Sequence, residues 1–513
     1  MPSTIDYALI STRVYDASPD NRTGVPVGWT ELTWQPDYNL SGFSAGAYKN
    51  GNDIVIAYTG TNQGVDWLSN GTAATGILPA PQIFDAMRFY LDIKAANPNA
   101  NITFTGHSLG GGLASLMAVF FDKQATVFDE APFELSAINP LILSALEVSL
   151  LLNGYTDLDF SLYNASFGTL FPFREDNVNH NYLQGEILGN LRAGLPTISG
   201  GDTSVPMGSS NLDSLNRHSV TLLAAMLGNS QFAALVQQLP NLATYLLDPT
   251  WFGVTDRRTP DKIDLLSDLL RHQYGAQGIT ADGRLDRFVA DMQQLVGTSG
   301  VAQTNYAVRD ALMTASMEYF HTKATGTADK LFSVSGGATH FKYSDIGANS
   351  YISLPTLAAA VEAILSADEV SLLNGKLLQQ DSWHIQSGSG AMVWYSTGSD
   401  NDVAIGGIKN DILSAGAGSD VLIGGAGADT LNSGDGNDTL IGGQGSDTLQ
   451  GGTGNDTYLF VSGDGYDTIE DRSGTDIIRF DDVQLTGGAQ YGNIWRSDDL
   501  KTTYTLLSST ENG

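Results

Sequence analysis

The chain has 513 residues, 42% of them hydrophobic, a formal net charge of −31 and no cysteine. That length and composition predict a sizeable core shared among roughly two or three domains. The charge argues against nucleic-acid backbones and a polybasic membrane anchor, and the missing cysteines exclude disulfides and thiolate zinc sites.

The first residues, MPSTIDYALISTRVYDASPD, lack a basic start followed by an apolar core, so no cleavable signal peptide is expected. No apolar run reaches about 18 residues, so no transmembrane helix is expected either. NDIVIAYTGT (52–61) and NITFTG (101–106) read as buried strands. Between them PQIFDAMRFYLDIKAANP (81–98) has helical spacing and stops at Asn97-Pro98. ATVFDEAPF (125–133) and HNYLQGEIL (180–188) are further strand candidates. Strands alternating with helices predict an α/β sheet over residues 1–240. Residues 241–384 read as mainly helical, with DKIDLLSDLLRHQY and RLDRFVADMQQLV clearest, and are expected to accompany the first domain. Residues 385–513 read as repeats and β-structure. The last stretch, NIWRSDDLKTTYTLLSSTENG, reads as strands and ends abruptly, as a truncated chain would.

Gly106-His107-Ser108-Leu109-Gly110 lies between a predicted strand and a predicted helix. A G-x-S-x-G turn in that context is a nucleophile elbow: flanking glycines allow the sharp reversal, and the serine hydroxyl stands clear of the sheet. The following helix aims its N-terminal amides at developing negative charge. A base should follow the acid in chain order, which leaves His218 in LNRHSVTLLAAML, His272, His321, His340 and His384 as candidates, with His272 inside a predicted helix.

Over roughly residues 50–225 these motifs resemble the class 3 (fungal-type) lipases, α/β-hydrolases with a Ser-His-Asp triad. The resemblance rests on TGHSLGGGLA, on IAYTGT (56–61) followed by Asp66-Trp67, and on the late His-Ser element at His218. It implies an α/β-hydrolase domain with Ser108 as nucleophile and His218 as base. It also implies an oxyanion hole from the backbone N–H groups of Thr61 and Leu109. Thr59 stands where that family carries an arginine, and His107 is expected to point away from the nucleophile. For the acid, Glu186 occupies the family's strand-end position, with Asp176, Asp202 and Asp213 open as alternatives.

Asp402, Asp411, Asp420, Asp429, Asp438, Asp447 and Asp456 fall nine residues apart within a glycine-rich frame, each followed two residues later by an apolar side chain. A fixed period with glycine, aspartate and leucine in constant phase predicts a parallel β-roll that binds Ca²⁺ through carboxylates and carbonyls. Residues eighteen apart stack, giving one ladder from Asp402 to Asp456 and another from Asp411 to Asp447. Lys409, Ala415 and Ser433 replace frame glycines, so the earliest sites are expected to be weakest. The region resembles the RTX (repeats-in-toxin) family. That resemblance implies secretion by the type I machinery without a cleaved signal, into millimolar extracellular calcium.

These features together predict a secreted lipolytic serine hydrolase acting on phospholipid or triacylglycerol at a lipid interface, with phospholipase A1 among RTX-linked relatives and no nucleic-acid partner. GILPAP (76–81) and LILSALEVSLLLNGY (141–155) fit an acyl pocket or a lid, the second reading more readily as ordinary core. A calcium-dependent adhesion protein with an inert hydrolase domain is the alternative; it conflicts with the intact serine and histidine motifs. A peptidase on the same triad finds no supporting feature.

Overall fold

A computed structural model of the chain describes residues 1–15, 23–35, 43–59, 80–166, 171–192, 198, 200–208, 210–248, 264–276, 278–296, 306–325, 332–343, 354–386, 390–481, 483–485, 489–491, 494–496 and 503–505. They form two compact units, Met1–Val289 and Ala290–Gly513.

The first unit holds a seven-stranded sheet in strict chain order: β1 (Thr30–Gln35), β2 (Ala45–Asn50), β3 (Asp53–Tyr58), β4 (Asn101–His107), β5 (Ala125–Phe128), β6 (Val178–Leu183) and β7 (Gly201–Val205). β1 to β3 pair antiparallel, and β3 to β7 run parallel. β4 is buried from Ile102 to His107, as a strand covered on both faces must be. Helix Ala80–Ala96 crosses from β3 to β4, and helix Leu109–Phe121 from β4 to β5. The second is buried along its whole length, which its uniformly apolar sequence requires. Met87, Tyr90, Phe104, Leu116 and Phe120 lie in the core beside these elements.

Two expectations change here. The strand expected over 180–188 is β6 and ends at Leu183: Gly185, at φ 78, turns the chain, so Glu186 leaves the sheet on a loop. Helix Pro140–Leu152 is not ordinary core. Leu143, Leu146 and Leu150 are buried, whereas Leu141 and Leu152 are 82% and 81% exposed. GILPAP falls almost wholly outside the described residues.

The second unit contains a β-roll. Strands β9 (Asp402–Ile405), β11 (Val421–Gly427), β13 (Thr439–Gly445), β15 (Thr457–Phe460) and β17 (Ile477–Phe480) line one parallel sheet. Strands β8 (Val393–Tyr395), β10 (Ile412–Ala417), β12 (Thr430–Asp435), β14 (Thr448–Thr453) and β16 (Thr468–Ile469) line the other. Successive strands of a sheet are offset by eighteen residues, as in Val403↔Val421 and Leu413↔Leu431. At the far end the offset becomes twenty, Thr457↔Ile477.

Strand alternation sorts the roll's apolar side chains into two sets. Leu413, Leu422, Leu431, Leu440 and Leu449 point inward as a core one side chain wide. Val403, Val421, Ile423 and Ile441 point outward and share a second core with helices Tyr306–Thr325, Leu354–Glu362 and Ala367–Leu373. Each leucine stacked in the roll contributes about 1.5–3 kcal/mol, so the narrow core gains its stability only by repetition.

Candidate active site and candidate metal centre

Ser108 sits between β4 and the following helix with φ 58 and ψ −127, a conformation costing a non-glycine residue about 1–3 kcal/mol. Close packing enforces it. A Cβ at Gly106 would stand 2.3 Å from the Gly110 carbonyl oxygen, and one at Gly110 would stand 2.1 Å from that of Tyr58. The elbow is pinned further by Ser108 N–H donating to the Phe128 carbonyl at 3.0 Å. The serine hydroxyl makes no capping bond to the helix it precedes. Leu109 opens that helix, so its N–H is among the amides without an intrahelical acceptor. Thr61, Asp66 and Trp67 lie outside the described residues. Thr59 is buried, and both its N–H and its hydroxyl donate to the Ser44 carbonyl, at 3.0 and 3.1 Å.

His218 precedes helix Val220–Gly228, which Ser219 caps through the Leu222 N–H. Its Nδ1 lies 3.0 Å from Glu186 Oε2, and its Nε2 is buried with no hydrogen-bond partner. Glu186 is buried and doubly held, with Leu188 N–H donating to Oε2 at 2.7 Å and the Arg192 guanidinium donating to Oε1. Burial pushes its carboxyl up, but the His218 hydrogen bond and the Arg192 charge prevail and hold it below the ordinary carboxylate range. The structure therefore brings Glu186 and His218 together. The other acid candidates sit elsewhere: Asp202 lies 3.5 Å from His180, Asp213 caps the turn at Asn216, and Asp176 packs against Gly200.

His107 is not remote from the base. Tyr15 donates its hydroxyl to the His107 carbonyl at 2.7 Å and contacts Nδ1 at 3.0 Å, and the His107 ring packs 4.5 Å from that of His218. Burial, and then the proximity of His218, push His107 well below the usual imidazole range. Sequence reasoning missed a second carboxylate, Asp129, whose Oδ2 lies 3.8 Å from His107 Nε2. Its other oxygen accepts the Leu183 N–H at 3.0 Å. Burial, and then the charge of Glu186, raise Asp129 well above the carboxylate range. Two carboxyl groups thus flank the imidazoles, and their surroundings drive their ionisation apart, a pattern that distinguishes roles in acid–base sites. The available signal was ATVFDE, a strand ending on an acid just after the elbow helix.

In the roll, each ladder aspartate accepts a backbone N–H from the preceding turn. Asp402 N–H donates to Asp420 Oδ1 at 2.7 Å, Asp411 to Asp429 at 2.7 Å, Asp420 to Asp438 at 2.8 Å, Asp429 to Asp447 at 2.8 Å and Asp438 to Asp456 at 2.9 Å. The second oxygen, Oδ2, of Asp420, Asp429, Asp438, Asp447 and Asp456 is buried without a partner. Repeated buried anionic oxygens with no donor fit a hard cation such as Ca²⁺. Asp411 differs, since its Oδ2 accepts the Gly407 N–H at 2.6 Å, and His384 Nε2 stands 3.3 Å from Asp402 at the first rung. Beyond the nine-residue period the ladders run on. Asp447 N–H reaches Asp467 at 2.9 Å and Asp456 N–H reaches Asp476 at 3.0 Å, both across twenty residues. The nine-residue period reaches neither; Gly-x-Gly-Tyr-Asp at 463–467 and Gly-Thr-Asp at 474–476 are their traces in the sequence.

Comparison with known proteins agrees with both halves. Residues 6–140 match the Tle-like phospholipase domain, and residues 396–431 and 432–459 match the RTX calcium-binding nonapeptide repeat. An extracellular phospholipase A1 of Serratia liquefaciens is 43% identical over 91 residues, 18% of this chain and 28% of that protein's length. Among solved structures, lipase II from Rhizopus niveus aligns with a TM-score of 0.24 at 15% identity, over 37% of this chain and 74% of its own. A fungal lipase aligns at 0.23 and 12% identity, over 41% of this chain and 80% of its own. The chain thus joins a lipase- and phospholipase A1-like α/β unit to RTX nonapeptide repeats that bind Ca²⁺.

Proposed function

We propose that the chain is a secreted, calcium-binding serine hydrolase that cleaves carboxylic esters of lipids, as a phospholipase A1 or a triacylglycerol lipase. The observation that carries this reading is the strained Ser108 elbow, whose preceding residue His107 packs its ring 4.5 Å from that of His218, an imidazole whose Nδ1 is engaged by a buried, ionised Glu186. Glu186 fixes the His218 tautomer with the proton on Nδ1, which leaves the lone pair on Nε2 to take the Ser108 proton. The serine oxygen attacks the acyl carbon, and the oxyanion meets the Leu109 N–H, with Thr61 as the second donor. The alcohol leaves with the proton returned from His218, and water releases the acyl-enzyme. Charge developing on His218 is balanced by Glu186, which Arg192 and the Leu188 N–H hold in place.

RTX repeats and an extracellular phospholipase A1 relative support export by the type I machinery into a calcium-rich medium, where Asp411, Asp420, Asp429, Asp438, Asp447 and Asp456 hold Ca²⁺. The test uses the full chain with calcium and phosphatidylcholine labelled differently at its two acyl chains, beside tributyrin. Release of the sn-1 acyl chain supports phospholipase A1, and tributyrin cleavage alone supports a triacylglycerol lipase. Failure on both rejects the enzyme and leaves the calcium-dependent adhesion protein.

A further inference from the structure

Helix Pro140–Leu152 has apolar side chains on both of its faces. Its inner face, Leu143, Leu146 and Leu150, joins the core of the first unit. On the outer face Leu141, Val148, Leu151 and Leu152 are exposed. The neighbouring helix Leu158–Ala165 packs against it and adds Leu158 at 73% exposure, and Phe173 follows at 77%. Water-facing apolar groups on two helices packed together form one patch, unlike the scattered exposed leucines of any soluble surface. At thirteen residues the helix is about 20 Å long, too short to cross a hydrocarbon layer of about 30 Å. With its inner face held in the protein core, the helix can present its outer apolar face flat to an apolar surface.

The charge around this face identifies the surface it suits. No lysine or arginine occurs between Lys123 and Arg174, while Glu134, Glu147, Asp157 and Asp159 do. Among the described residues, three cations of the same unit are already engaged. Lys94 pairs with Asp157 at 2.7 Å, Arg174 is buried with its guanidinium donating to the Val119 and Phe120 carbonyls, and Arg88 lies over the Phe84 and Tyr155 rings. Anionic leaflets are held by basic clusters. This face has the opposite character. We propose that the outer face of helix Pro140–Leu152 and its neighbour docks on a lipid surface without net negative charge, specifically a zwitterionic phospholipid bilayer. The proposal rests on the lipolytic reading and names the kind of surface on which that site works.

The test is flotation of the full-length Ser108→Ala protein, with calcium, on phosphatidylcholine vesicles and on vesicles containing phosphatidylserine. The parent should float with phosphatidylcholine and less with phosphatidylserine. The double substitution Leu141→Asp and Leu152→Asp should cut partitioning by about ten-fold or more, since affinity scales with buried apolar area. Both side chains face water, so an unchanged thermal melt should accompany the loss. A parent that ignores phosphatidylcholine, a variant that floats as well as the parent, or stronger binding to phosphatidylserine each overturns the proposal. So does a dimer, seen by sedimentation, that the substitutions dissolve, because the face would then bind a second copy. No hydrolysis is read, so a failure of the esterase reading leaves these outcomes distinct.

Discussion

Glu186 of the first unit and the ladder aspartates of the second are satisfied in different ways. In the first unit, both oxygens of Glu186 meet protein donors: the Arg192 guanidinium on one side, Leu188 N–H and His218 on the other. In the second unit five stacked aspartates each keep one buried oxygen with no donor. Glu186 therefore has its donors within the protein, whereas the ladder aspartates keep oxygens that fit a cation. The cores differ in the same sense. Phe104, Phe120, Phe121 and Phe128 give the α/β unit bulk, while the roll's interior is a single file of leucines. A narrow core of that kind offsets less of the chain entropy. The roll's stability is therefore expected to rise with bound metal, as in other metal-dependent units.

The largest expected effect lies at Ser108. Ser108→Ala should lower ester hydrolysis on the order of 10⁴-fold or more while the circular dichroism spectrum and its response to calcium stay as in the parent. Substantial residual turnover by the purified variant would reject Ser108 as nucleophile. Next, Glu186→Gln should lower kcat by about 10²–10⁴-fold, because the amide no longer fixes the tautomer or balances the imidazolium. Asp176→Asn, Asp202→Asn and Asp213→Asn should stay near the parent. A crippling effect at any of those three would move the acid there.

Much of this comparison was readable before any coordinates, and the reasons for the exceptions are specific. A buried parallel strand needs consecutive apolar residues, so β3, β4 and β5 stand out, and a Gly-flanked serine between strand and helix has few structural uses. The roll's phase is legible because every turn repeats the same glycine, aspartate and leucine requirements. Asp129 was missed because its role depends on a three-dimensional neighbour, His107, that no local pattern reveals. Asp467 and Asp476 were missed because two inserted residues break the period without breaking the ladder. Helix Pro140–Leu152 misled in the other direction: composition reports apolarity, and only packing reports which face is covered. Residues 241–384 read as one helical stretch, yet the compact units divide at Val289, since outward valines and isoleucines of the roll also need a helical cover.

Within the roll, rungs should not be equal. Asp438→Asn should raise the calcium concentration at half-maximal β-signal by on the order of 10-fold, as loss of a buried anionic oxygen from a metal site does. Asp411→Asn should shift it less, because Asp411 already satisfies its Oδ2 with the Gly407 N–H. Equal shifts in a calcium titration followed by circular dichroism would show that the first rung binds as well as the interior ones.

The smallest effect is one of pH, and the two units should respond with opposite sign. Without calcium, burial first and the neighbouring carboxylates second push Asp420 and Asp429 up to about 7; burial also takes Asp438 and Asp447 up to about 6. These lie above the unfolded value near 3.9, so their contribution to stability is fully present below about pH 4 and is lost as pH rises through 6 to 7. In chelator, the roll's melting temperature should therefore climb by ~5 °C on going from pH 8 to pH 5, a shift typical of a change near 1 kcal/mol. Calcium reverses this, because the ion requires ionised aspartates and protons compete with it, so its half-saturating concentration should rise over the same acidification. Glu186 runs the other way from the calcium-free roll. Its folded value is depressed, so its contribution is present above the unfolded value near 4.3 and is lost as pH falls below it. Thermal melts in chelator at pH 8, 6.5 and 5 read the roll directly, and a transition that weakens on acidification there would show that the ladder carboxylates are not held as buried, unpaired acids.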